Sequence, residues 1–177
     1  VRSWQLGLGE DGAHIEGWVE AVGLAAGEPI VLRIAELDIK QEFSVGEDGR
    51  AQVEIDAAPE RWSPKNPRLY EVEISAGEDR VRDRIGFRTI AVRGDEILLN
   101  GEPIFLRGIS IHEERPIGGG RIHSAEQAET ILGWAKELGA NFVRLAHYPH
   151  DEYMPQLADR MGLLVWEEIP VYWAVDF

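Results

Sequence analysis

The chain of 177 residues contains no cysteine, which removes disulfide staples, thiolate metal ligands and thiol nucleophiles together. Positive charge is scarce: 18 Lys and Arg stand against 32 Asp and Glu, for a formal net charge of −14. A chain so balanced offers no positive face to nucleic-acid phosphates or to an anionic membrane, and neither partner is expected. Nor is the acidity gathered into a tail, since residues 1–92 and residues 93–177 each come to −7. No apolar run approaches the roughly 18–20 residues of a membrane span. The text begins at Val1, without an initiator Met or a signal-peptide layout, and reads as a piece of something longer. Nothing in it names a compartment. What is present is ordinary for a globular protein, with 44% hydrophobic and 28% charged residues.

Two textures divide the chain. Residues 1–92 read as short strands: His14–Val22, Ile30–Ala35, Ile39–Val45, Ala51–Ile55 and Tyr70–Ser75. Val53 and Ile55 flank Glu54, and Val72 and Ile74 alternate with Glu71 and Glu73, a period of two that puts one face on a core. Gly-rich and acidic turns separate the runs, at Ala25-Ala26-Gly27, Gly46-Glu47-Asp48-Gly49 and Gly77-Glu78-Asp79. Six or seven such strands in this length predict an antiparallel sandwich of immunoglobulin type. The prolines of Trp62-Ser63-Pro64-Lys65-Asn66-Pro67 exclude a central strand there, which leaves an ordered loop with Trp62 closing one end of the core.

From about Glu96 the pattern changes. Asn100-Gly101 between two apolar runs is a strong hairpin signal. Phe105–Ile111 then reads as a buried strand interrupted by Arg107 and Gly108. Ser124 with Gln127 three residues on predicts a helix start, and Gly139 its end. Asn141–Ala146 is a second strand, a second helix runs to about Met161 with Pro155 in its first turn, and Leu163–Trp166 is a third strand. This β-α-β-α-β order predicts a parallel sheet. A closed (β/α)8 barrel needs about 250 residues, so less than half of one is expected here.

In parallel α/β architecture, ligands bind beyond the carboxyl ends of the strands. The three ends read Ile111-His112-Glu113-Glu114, Ala146-His147-Tyr148-Pro149-His150 and Trp166-Glu167-Glu168-Ile169-Pro170. Together they predict a pocket of imidazoles, carboxylates and aromatics, with Tyr172 and Trp173 as an aromatic wall, a composition that suits a sugar. On position alone, His112 and His147 fit a strand-end hydrogen bond as well as a ligand contact. His123 and His150 read as loop or helix-start residues in solvent. Glu113, Glu114 and Glu167 read either as surface acids or as pocket groups. Arg107 and Arg144 interrupt buried runs and require carboxylate partners, either as structural ion pairs or as an arginine holding a catalytic carboxylate. There is no His-x-His or His-Glu-x-x-His, Gly118-Gly119-Gly120 lacks the Lys-Ser/Thr of a phosphate loop, and no Gly-x-Ser-x-Gly elbow occurs. No metal and no cofactor are expected.

At these same residues the chain resembles glycoside hydrolase family 2. Gly86-Phe87-Arg88-Thr89-Ile90 is similar to the family's exit from its immunoglobulin-like domain. Leu99–Gly108 followed by His112-Glu113, Gly139–Arg144 with His147-Tyr148-Pro149, and Asp159–Pro170 resemble the first three barrel strands. Trp62, Pro64, Pro67, Leu69 and Tyr70 resemble the sandwich's characteristic loop. The resemblance implies an immunoglobulin-like sandwich over 1–92, then the first three strands and two helices of a TIM barrel over 93–177. It implies a retaining β-glycosidase, in which two glutamates sit about 5–5.5 Å apart. The family places them at the ends of barrel strands four and seven, the former in an Asn-Glu pair. That dipeptide occurs nowhere here, so neither catalytic glutamate is assigned. Both are expected downstream of Phe177, and the chain alone is expected to be inactive. By position, the resemblance gives His112 and His147 as sugar contacts, Arg144 as the arginine that pairs with the nucleophile, and Glu168 as the strand-three acid near the sugar hydroxyls. Glu113 and Trp173 complete the expected substrate-facing set. Ala146 stands where many members have Ser or Thr, and Glu167 where many have Asp. The expected partner is a β-glycoside or oligosaccharide, with self-association through exposed barrel edges. A non-catalytic carbohydrate-binding or interaction module is the alternative.

Overall fold

The computed structural model describes residues 1–171. The chain folds as two units, one comprising residues 1–62 with 68–104, the other residues 63–67 with the chain from Phe105 onward. The division differs from a single boundary at 92/93. Residues 90–103 form a small antiparallel meander that belongs with the first unit, and the proline-bearing loop 63–67 groups with the second.

The first unit contains a three-stranded sheet of β1 (Ser3–Leu8), β2 (His14–Glu20) and β5 (Arg50–Asp56), in the order β1-β2-β5. A four-stranded sheet holds β3 (Pro29–Ile34), β4 (Ile39–Ser44), β6 (Tyr70–Ala76) and β7 (Asp79–Ile85), in the order β4-β3-β6-β7. Every pairing is antiparallel. Alternation does the sorting: Ala51, Val53 and Ile55 are buried while Arg50, Gln52, Glu54 and Asp56 face out. Ile15 and Val19 from one sheet and Ile30, Leu32, Ile34, Val72 and Ile74 from the other join a single core. Burying each such side chain contributes roughly 1.5–3 kcal/mol relative to leaving it exposed. Trp62 is fully buried, with the Arg88 guanidinium 4.4 Å over its ring.

Two strands of the seven were not expected as such. β1 carries a glycine, no charged residue and little polarity contrast, and β7 reads Asp-Arg-Val-Arg-Asp-Arg-Ile, with few apolar residues to signal a strand. Both lie at sheet edges, and on β7 the charge discourages pairing with a further chain. Arg82 Nε donates to Glu73 on the neighbouring strand at 2.6 Å, so cross-strand charge supports β7 in place of burial.

The meander runs β8 (Ile90–Arg93), β9 (Glu96–Leu99) and β10 (Glu102–Pro103). Asn100 and Gly101 form its two-residue turn, both with positive φ (55° and 86°), as a primed hairpin turn requires. The Asn100 side chain also accepts from Thr89 N at 3.1 Å and donates to the Trp62 carbonyl at 2.9 Å.

The second unit has three parallel strands, β11 (Gly108–His112), β12 (Phe142–Ala146) and β13 (Leu164–Glu167), in sequential order. They are joined by α1 (Ala125–Glu137) and α2 (Tyr153–Met161). Ser124 Oγ accepts from Gln127 N, and Gln127 Oε1 accepts from His123 N, a reciprocal cap. Pro155 falls in the first turn of α2, where its missing N–H costs nothing, and Gly162 takes the left-handed conformation that ends the helix. Val143 and Leu145 of β12 and Ile111 of β11 pack with Ala128, Leu132, Ala135, Met154, Leu157 and Ala158 of the helices. The helices thus cover one face of the sheet. Asn141, itself buried, accepts from Arg107 N at 2.8 Å and donates to the Phe105 carbonyl at 3.0 Å, which sets the start of β11.

The apolar runs are less buried than their composition suggests. Phe105 is 78% exposed and precedes β11, which begins at Gly108 and not at Phe105, while Trp166 is 60% exposed because the other face of the sheet meets no covering layer among the described residues. Arg107 is exposed as well and donates to the Gly139 carbonyl at 3.2 Å, so it needs no carboxylate.

Candidate functional site

Strand register brings the chemistry together. Ser110 of β11, Arg144 of β12 and Trp166 of β13 are partners across the sheet, one layer on the face that the helices leave open. His112 is the last residue of β11, and His147 and Glu168 come immediately beyond the carboxyl ends of β12 and β13. Gly108 lies one layer below, where a Cβ would stand 2.2 Å from the Phe142 ring; only glycine lets that ring lie over β11.

Arg144 organises the cluster. Its Nε donates to Glu168 Oε1 at 2.8 Å and its Nη2 to Glu168 Oε2 at 3.1 Å, a two-point pairing, while Nη1 reaches Ser110 Oγ at 3.4 Å. The partner implied by resemblance was a nucleophile on a later strand; here Arg144 engages the strand-three acid. Hydrogen bonding from Arg144 holds the Glu168 carboxyl below its ordinary value, against a smaller opposing effect of burial and with added help from His147. Glu168 is therefore ionised at neutral pH.

His147 Nδ1 lies 3.1 Å from Arg144 Nη2 and 3.3 Å from Glu168 Oε2. One ring nitrogen cannot accept from a guanidinium and donate to a carboxylate at once. The imidazole has two protonation forms here: bare Nδ1 accepting from Arg144, or Nδ1–H donating to Glu168. The His112 ring meets His147 edge-on, with centroids 5.1 Å apart. The peptide bond between Ala146 and His147 is cis. A cleft of about 460 Å³ opens on this cluster, lined by Arg144, His147, Trp166, Glu167, Glu168 and Ile169 among others. It offers an aromatic surface, a fixed ion pair and an imidazole, suited to a ligand with both an apolar face and several hydroxyls.

The residues singled out from sequence separate into groups. Arg144, His147 and Glu168 form one hydrogen-bonded cluster, and His112 contacts it through His147. Glu113 is placed differently from the sugar-facing position expected of it. It is 1% exposed, and its carboxylate is taken by the Arg121 guanidinium, with Nε at 2.5 Å, and by the backbone N–H of Asp151. His150, expected in solvent, is buried, and its Nε2 donates to the Ala146 carbonyl at 3.0 Å. Tyr172 and Trp173, the expected aromatic wall, lie outside the described residues. So does Phe177, downstream of which the two catalytic glutamates were expected. Trp166 was read only as part of an apolar strand. Its register opposite Arg144 was the available signal that it faces the cleft. Among the described residues, no group of three or more metal-ligating side chains is assembled.

An antiparallel sandwich followed by parallel β/α units, with guanidinium, imidazole and carboxylate beyond the strand ends, defines a polar-ligand site of the barrel type. Residues 90–174 match the family model described as glycosyl hydrolases family 2, TIM barrel domain, and residues 30–88 match that of glycosyl hydrolases family 2. The chain belongs to glycoside hydrolase family 2 and carries its immunoglobulin-like and TIM barrel domains. It is 34% identical over 137 residues to a β-galactosidase of Arthrobacter sp., covering 77% of this chain and 13% of that protein. A β-glucuronidase of Streptococcus agalactiae is 39% identical over 114 residues, covering 62% of this chain and 19% of that one. A solved β-glucuronidase of Ruminococcus gnavus, in complex with D-glucuronic acid, matches with a TM-score of 0.75 at 30% identity, covering 96% of this chain and 30% of that chain. This chain thus spans less than a third of the length of each of these relatives.

Proposed function

We propose that this chain supplies the sandwich and the first sugar-facing strands of a retaining β-glycosidase, and that it does not turn over glycosides by itself. The observation that carries the reading is the Arg144–Glu168–His147 cluster on the open face of the sheet, beyond the strand ends. In this reading the charged carboxylate of Glu168 and the imidazoles of His147 and His112 accept and donate hydrogen bonds to hydroxyls of the sugar in the innermost subsite. Arg144 holds Glu168 in place and ionised, so that the acceptor is aligned before the ligand arrives. Trp166 offers its ring to the apolar face of the sugar. No Asn-Glu pair occurs in this sequence, so in this reading the acid/base and nucleophile glutamates are not among the groups of these three strands. The relatives named for galactosides and glucuronides make those two sugars the first candidates.

The test has two arms. Incubation with nitrophenyl β-galactoside and β-glucuronide gives no turnover above background. Calorimetric titration with D-galactose and D-glucuronic acid gives weak binding, roughly millimolar, to one of them. That binding falls at least about tenfold in Glu168→Ala, the loss of a charge-assisted hydrogen bond. Turnover that survives purification and vanishes in Glu168→Gln contradicts the absence of catalytic groups; binding that ignores Glu168→Ala contradicts the subsite.

A further inference from the structure

The buried acid at the end of β11 sits where two loops meet. Glu113 receives Arg121 from later in its own loop and the N–H of Asp151 from the loop that follows β12. Arg121 then extends the contact: its guanidinium lies 5.1 Å over the Tyr148 ring and its Nη2 donates to the Pro149 carbonyl at 3.4 Å. The backbone closes the first loop on the same residue, through Ile122 N to the Glu113 carbonyl at 3.2 Å. On its other side the second loop is held by His150, whose ring donates to Ala146. The segment 147–151 is therefore fastened at Ala146, Tyr148, Pro149 and Asp151, and His147 stands at its head.

We propose that Glu113 is a positioning residue: through Arg121 and Asp151 it fixes the 147–151 loop, and so aims the His147 ring at Arg144 and Glu168. The physical basis is burial. A carboxylate that is 1% exposed persists as an ion only when its oxygens are met, so the two loops cannot part without stranding it. Arg121 holds the other end of the pair with a side chain that is 65% exposed, which makes it the separable half of the clamp. The inference rests on the subsite reading for its functional meaning, though not for its geometry.

The test is made on the whole chain by NMR, with Glu113→Gln and Arg121→Gln. Glutamine keeps the shape of Glu113 but sets an amide against the guanidinium. The expected result is faster amide exchange at Asp151 by at least about tenfold, together with a change in the His147 ring chemical shifts as the ring leaves Arg144 and Glu168. The His14 ring of the sandwich keeps its shifts and serves as the internal control. Arg121→Lys, which restores a charge without the planar fork, recovers part of the His147 shift. If Glu113→Gln does not fold, Arg121→Gln carries the same reading. Unchanged Asp151 protection and unchanged His147 ring shifts in a folded variant overturn the proposal, as does loss of the sheet's fold in Arg121→Gln. Titration of each variant with D-glucuronic acid and D-galactose separates the two readings. A threefold or larger loss of affinity supports both. A wild-type chain that binds neither sugar defeats the subsite reading, and leaves the clamp to be judged on His147 and Asp151.

Discussion

The sandwich and the parallel sheet use their side chains differently. In the sandwich, both sheets turn their alternate apolar residues onto one core, and the outward faces are left to charge. In the parallel sheet, Val143 and Leu145 lie fully buried under the helices, while their neighbour Arg144 and its partner Trp166 look the other way. A strand with two equal faces would have to stabilise and bind with the same residues. Here neighbouring residues of β12 divide the work: Val143 and Leu145 hold the unit together, and Arg144 with the strand-end residues carries the polar cluster.

The largest expected effect tests that division within adjacent strands. Leu145→Ala removes a fully buried side chain and is expected to destabilise the second unit by about 2–5 kcal/mol. Trp166→Ala, on the open face, is expected to change stability by less than about 1 kcal/mol while weakening sugar binding. Urea unfolding followed by amide signals of the second unit measures both; equal losses would break the comparison. Next comes Gly108→Ala, whose new methyl meets the Phe142 ring at 2.2 Å. Relieving that overlap is expected to cost about 1–3 kcal/mol, seen in the same unfolding curves. A smaller loss, about 1 kcal/mol, is expected for Ser124→Ala, which leaves the Gln127 N–H at the start of α1 without its acceptor.

Much of this was legible beforehand, for identifiable reasons. Turns with special backbone demands announce themselves, as Asn100-Gly101 does, and so do caps such as Ser124 with Gln127. Strand ends carrying His112, His147 and Glu168 were readable because apolar runs stop abruptly at ionisable groups. β7 was not, because an edge strand held by cross-strand charge lacks the alternation that burial imposes. Glu113 and His150 were misplaced for a related reason. A polar residue just after a strand looks solvated unless the partner that buries it is known, and Arg121 and Ala146 become partners only through loop geometry. Arg107 erred the other way, because a cation in an apolar run suggests a buried strand position where the residue lies exposed just ahead of β11.

The subtlest contrast between the units is in pH. In the sandwich, hydrogen bonding to Asp11 at 2.6 Å raises the His14 pKa above its ordinary 6.5, and Asp56 adds to the effect. Its contribution is complete below 6.5 and is lost as pH rises through the raised value. Asp11 is lowered, first by the Ala13 backbone N–H and then by His14, so the pair persists between those limits. Glu168 in the parallel sheet behaves oppositely: its pKa lies below the ordinary 4.5, so its contribution is present above 4.5 and is lost as pH falls through the depressed value. Acid therefore loosens the open face of the sheet, while mild alkali loosens the turn before β2. Amide protection at Ala13 and the chemical shifts around Glu168, followed across pH, measure the two ends, and a common direction for both would contradict the assignment.

The central claim is that the open face of the parallel sheet, and not the sandwich, meets sugar. Titrating the labelled chain with D-glucuronic acid and with D-galactose while following its NMR spectrum tests this directly. The predicted result is a set of shifts confined to His112, His147, the Trp166 indole and the backbone around Glu168, saturating with one of the two sugars and lost in Glu168→Ala. Shifts confined to the sandwich strands, or none at either sugar up to tens of millimolar, would contradict it.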